Sequence, residues 1–160
     1  MKKNQFRLGK LSASHYTDLY NDAHFQVQKK IQLLQTDQGF KTKWDGDYEA
    51  VLQLGIEEEP HSFEIYIDLD CETIPAELLN LAEKIVRNLI QMDDVARAIP
   101  MPQDENEELW YITISPSLAR FHYVSNAVNT EWEVVFQVSN KGEWKCLGIP
   151  VPGNPGVFHK

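Results

Sequence analysis

The chain of 160 residues has the size of a single domain, and a hydrophobic content of 42% places it with globular proteins rather than with disordered acidic tails. Its net charge of −9 is uneven: residues 1–44 balance to +5, residues 45–108 to −15 and residues 109–160 to +1. That field argues against nucleic acid and anionic membranes as partners and favours cationic ones, while no run of eighteen apolar residues offers a membrane-spanning helix.

In chain order, Phe25, Val27, Ile31 and Leu33 alternate with Gln26, Gln28, Lys30 and Gln32, which predicts a half-buried strand interrupted at Lys29. Turn residues at 36–39 and 44–47 precede a second alternation of Tyr48, Ala50, Leu52, Leu54 and Ile56 with Glu49, Gln53 and Gly55. Glu57, Glu58, Glu59 and Pro60 break this strand. A third follows, with Phe63, Ile65, Ile67 and Leu69 on one face and Glu64, Tyr66, Asp68 and Asp70 on the other. Short connections make the three an antiparallel meander.

The period then changes. Leu78, Leu81, Ala82, Ile85, Val86 and Leu89 recur at helical spacing and predict one long amphipathic helix over 75–91, with Pro75 in its first turn. Glu83 and Arg87 stand four apart, a pair worth about 0.3–0.5 kcal/mol. The helix, or a short successor through Asp93-Asp94-Val95-Ala96-Arg97, is expected to end by Ile99, because Pro100 and Pro102 disfavour helical geometry before them, and 103–108 reads as a solvated acidic loop. Strands are expected near 109–114, 119–124, 131–138 and 143–148, and Gly142 is suited to the positive φ of a hairpin loop. The expected architecture is α+β: an antiparallel sheet of about six to seven strands packed on one long amphipathic helix. Residues 1–148 form the domain, and the Pro- and Gly-rich 149–160 form a tail, extended along the surface or disordered.

Asp68 and Asp70, with Glu72 continuing their row, are the right ligand type for Mg²⁺ or Ca²⁺, but no calcium loop or phosphate-binding glycine motif accompanies them. A solvated strand face or a protein-binding face explains them with fewer assumptions, and the second also accounts for Glu57, Glu58 and Glu59. His15, His24, His61, His122 and His159 lack zinc spacing, and a triad of Ser115 or Ser117 with His122 and an acid has no supporting motif. Neither a catalytic residue nor a metal or other cofactor is therefore expected. Trp110, Tyr111, Phe121, Tyr123, Trp132, Phe136 and Trp144 are read mostly as core, because a base-stacking platform needs a cationic groove that Arg120, Lys141, Lys145 and Lys160 hardly supply. The basic first segment, from Lys2 to Lys43, is read as a solvated edge. Cys71 and Cys146, without CxxC spacing, are expected to be reduced, small hydrophobic residues. A basic N-terminus with no apolar run after it points to the cytoplasm.

The helical stretch 78–89, then Phe121-His122-Tyr123, the segment 128–136 with its Val-Asn-Thr-Glu start, and Gly142-Glu143-Trp144 together resemble small acidic bacterial immunity proteins of toxin systems, over roughly residues 45–148. The resemblance implies a cytoplasmic protein, and no enzyme, that neutralises a cognate toxin by binding it. The charge map leads the same way: a nuclease toxin carries a basic cleft, and carboxylates in place of phosphates would occlude it. The partner-binding residues expected on this reading are Glu57, Glu58, Glu59, Asp68, Asp70, Glu72, Asp104, Glu105, Glu107 and Glu108. Trp44, Tyr48 or Tyr66 would serve as buried anchors. A monomer is expected when free. The alternatives are an acidic secretion chaperone, which would be a dimer, and an enzyme using Asp68 and Asp70 with a divalent cation.

Overall fold

The three-strand meander anticipated from the alternating pattern is present. The computed structural model describes residues 13–55, 62–99, 107–125 and 130–160, excepting the side chains at 13–14, 32–34, 40–46, 107 and 130. Its strands β1 (Gln26–Thr36), β2 (Gly39–Leu54) and β3 (Phe63–Leu69) pair antiparallel in sequence order. The helices α1 (Ala13–Asp22), α2 (Ala76–Arg87) and α3 (Leu89–Arg97) are followed by β4 (Glu107–Ser115), β5 (Leu118–Ser125), β6 (Thr130–Val138), β7 (Trp144–Pro150) and a short β8 (Phe158–His159). All eight strands form one sheet in the order of the chain.

Three expectations are corrected here. The sheet is mixed, because β3 and β4 pair parallel, joining Ile65 to Ile112 and Ile67 to Ile114. A parallel pair requires a crossover, and α2 and α3 provide it. Secondly, eight strands replace six or seven: the tail turns back at 151–157, with Val151 N–H donating to Val157 at 2.9 Å, and pairs Ile149 with His159. Gly148, at φ +111°, makes room for this return, since a Cβ there would stand 2.6 Å from the His159 carbonyl oxygen.

Thirdly, three short helices replace one long one. The break falls at Asn88 (φ −106°, ψ 11°), whose side-chain Nδ2 donates to the Lys84 carbonyl at 2.8 Å. The Asn88 backbone N–H is shared between Lys84 and Ile85 at 3.1 Å each, so side chain and backbone compete for one acceptor and the ladder is interrupted. After this one-residue break the chain restarts as α3. Tyr16, Leu19 and Tyr20 of α1, with Ala23 just after it, form a stripe at helical spacing, and the buried Tyr16 meets Phe63 at 5.8 Å.

The helices pack on one face of the sheet. Rows such as Ala50, Ile67, Ile114, Ala119 and Phe136, and Leu52, Ile65, Ile112, Phe121 and Val134, run across the strands and are buried with Leu81, Ala82, Ile85 and Val86 of α2. β1 lies at the end of the sheet, and there the expected burial fails: Val27 is 38% and Ile31 66% exposed. The register also shifts between Lys29 and Ile31, a bulge at the interruption seen in the sequence. Beneath α3, buried Asp93 accepts from Tyr123 Oη at 2.7 Å and from Arg97 Nε at 3.0 Å, and the Arg97 guanidinium lies 5.3 Å from the Tyr123 ring centre. Among the described residues no helix is long and apolar enough to cross a membrane.

Candidate functional site: an aromatic and acidic sheet face

Strand alternation sends the odd residues of β3 into the core and the even ones to the opposite, outer face, giving Glu64, Tyr66 and Asp68 their exposure. Register then decides their neighbours. Glu64 stands beside Tyr111, which pairs with His122, which pairs with Glu133, and Tyr66 stands beside Thr113, which pairs with Arg120. From β2, Glu49 lies directly opposite Asp68. Two like charges at such a position repel, so the pairing is a local cost in stability.

The aromatic part is centred on Tyr111. His122 stacks on it at 4.0 Å with ring planes 13° apart, Tyr66 meets it edge-on at 5.7 Å, and Trp110 does so at 5.1 Å. Trp110 falls at the shift in β4–β5 register between Leu109 and Tyr111, and this leaves its indole 49% exposed. An open hollow of about 310 Å³ is lined by Glu49, Glu64, Tyr66, Asp68, Trp110, Tyr111 and Thr113.

Charge pairing within this face is uneven. Lys30 sits 3.1 Å from Asp68, and Arg120 sits 3.3 Å from Glu133. Glu49 and Glu64 instead take neutral donors, Gln28 Nε2 and Tyr66 Oη respectively, each at 2.8 Å. The Tyr66 hydroxyl is pushed well above its ordinary pKa, by burial first and then by its hydrogen bond to Glu64 and the charges of Glu64 and Glu49. Burial lowers His122, partly opposed by Glu133, whose carboxylate lies 3.7 Å from Nδ1. Thr113 Oγ1 is 3.2 Å from His122 Nε2.

The expected row Asp68, Asp70, Glu72 does not stand as one row, because β3 ends at Leu69 and the chain turns. Asp68 remains on the outer face. Asp70 is exposed in the turn, and Glu72 accepts from Tyr48 Oη at 3.2 Å, where Tyr48 pairs with core-facing Leu69. Among the described residues no three His, Cys, Asp or Glu side chains converge as metal ligands. Cys71 is exposed rather than a core residue, and hydrogen bonds with Thr73 lower its thiol pKa. Glu108 is half-buried, and burial raises its carboxyl pKa, against the pull of Arg97. Glu57, Glu58, Glu59, Asp104 and Glu105 lie outside the described residues, as do the side chains of Glu107 and Trp44.

The acidic middle third is therefore not one patch: Glu83 pairs with Arg87 on α2, and Asp93 is buried with Arg97. Sequence alternation assigned Glu64, Tyr66 and Asp68 to one face. It contained no signal that Trp110 and Tyr111 would join them, since that depends on the parallel β3–β4 register. No family model, curated protein or solved structure matches the chain.

Proposed function

We propose that this protein is a non-enzymatic inhibitor, an immunity-type protein that binds a basic partner protein through the outer face of its sheet and blocks that partner's working surface. The observation that carries the reading is the grouping of exposed Trp110 with Tyr66 and Tyr111 beside Glu49 and Glu64, two carboxylates that among the described residues take neutral donors rather than cations. Aromatic residues on a face without helices supply apolar contact, the usual centre of a binding interface. Carboxylates beside them raise the encounter rate with a basic surface and select against acidic partners. The reading places the protein in the cytoplasm as a free monomer, since two copies of this face would repel each other.

The test compares the wild-type protein with a Glu49→Lys/Glu64→Lys variant, each immobilised and exposed at low salt to extract from its native cell. The expected result is a basic protein retained by the wild type, lost by the variant and inhibited at one-to-one stoichiometry. Equal retention by both, or recovery of acidic partners alone, overturns the assignment.

A further inference from the structure

We infer that the hollow between Tyr66, Trp110 and Tyr111 is a seat for one arginine side chain of the basic partner; the inference rests on the function proposed above and specifies its central contact. The hollow, about 310 Å³, is at the low end of the ~300–1,000 Å³ range of small-ligand pockets, and it is open, which suits a side chain entering from an opposing surface. Its chemistry is that of a planar cation. Trp110, a half-exposed residue, lines the hollow with the aromatic ring type most favourable to a cation, while Glu64 and Glu49 line it from the strands beside it.

Arginine fits this combination better than lysine. A guanidinium stacks on an aromatic ring and at the same time forks into a carboxylate in its own plane, whereas an ammonium is a compact, strongly hydrated charge. Asp68 contributes less, because Lys30 already holds it, but Glu49 and Glu64 have no cation among the described residues. Burial is the first cause of the raised Tyr66 pKa, and the hydrogen bond to Glu64 and the charges of Glu64 and Glu49 add to it, a negative field that an incoming cation would meet. A second copy of the chain is a poor occupant, since it would bring Glu49, Glu64 and Glu133 against themselves.

The test is a titration with hexa-arginine and hexa-lysine, peptides of equal charge, at low salt, followed by tryptophan fluorescence and by the indole N–H resonance of Trp110. The expected result is binding of hexa-arginine at least about fivefold tighter than hexa-lysine, with the preference abolished by Trp110→Ala and by Glu64→Gln. Both positions lie on the outer face, and the near-isosteric Glu64→Gln keeps the test valid should Trp110→Ala perturb the sheet. Equal binding of the two peptides, unchanged in either variant, overturns the arginine seat and leaves the proposed function standing. Binding of neither peptide removes both. A concentration-dependent dimer that Trp110→Ala dissociates would give the hollow to a second copy and also overturn the inference.

Discussion

His122 shows how one side chain can be read in opposite directions until its surroundings are known. It stacks on Tyr111; its burial disfavours the charged ring, with Arg120 adding to this, while Glu133 favours it, and burial prevails. An unfolded histidine titrates near ~6.5. With the folded value lower, the unfolded chain binds more protons between the two, so the stability present above the ordinary value declines as pH falls through that interval. Replacing His122 with Asn removes this dependence. The wild-type urea midpoint, relative to that of the variant, should therefore move downwards between pH 7 and pH 5. Movement upwards would mean that the Glu133 contact outweighs burial.

At the scale of elements, α3 is held to the sheet by polar contacts as well as by Leu89, Met92 and Ala96. The Asp93 and Arg97 side chains are 0% and 3% exposed, so removing one charge leaves the other buried without its partner. Arg97→Met is expected to cost about 3–5 kcal/mol in urea unfolding. Replacing both residues with apolar side chains should cost clearly less than that single change. A loss under about 1 kcal/mol for Arg97→Met would show that water reaches the pair. The break at Asn88 separates α2 from α3, and it is α3 that carries the Asp93 bonded to Tyr123.

For the whole molecule, the proposed function assigns the net charge of −9 a long-range role and the outer face a role at contact. Steering by unpaired charges is screened over a Debye length of roughly 10 Å at 0.1 M salt. With the partner identified, the association rate should therefore fall steeply between about 50 mM and 500 mM salt while the dissociation rate changes little, as stopped-flow mixing would record. A flat association rate would remove the steering role of the charge. The aromatic contact would remain, since Trp110 and Tyr66 act only after encounter.

Much of the local structure was legible in the residues because period alone distinguishes strand from helix. The facing of β3, the strands β4 to β7 and the positive φ of Gly142 follow from alternation and turn chemistry. The helical stripe of Tyr16, Leu19, Tyr20 and Ala23 carries the same kind of signal, short and directly followed by the strand alternation that begins at Phe25. β1 marks where alternation misleads, since it predicts which residues share a face but not whether anything covers that face. Val27 and Ile31 alternate correctly and remain exposed because β1 lies at the end of the sheet, beyond the reach of the helices.

The sequence by itself determined the alternating faces, the acidic middle and the presence of outward-pointing carboxylates, because each depends on residues near one another along the chain. Tertiary structure alone decided that β3 and β4 run parallel, that α2 and α3 are separated at Asn88, and that Glu49, Glu64, Tyr66, Trp110 and Tyr111 share one hollow. Those outcomes depend on strand register and on which sheet face the helices occupy. They are set by burial of the core as a whole, which brings residues as far apart as Glu49 and Thr113, 64 positions along the chain, to one hollow.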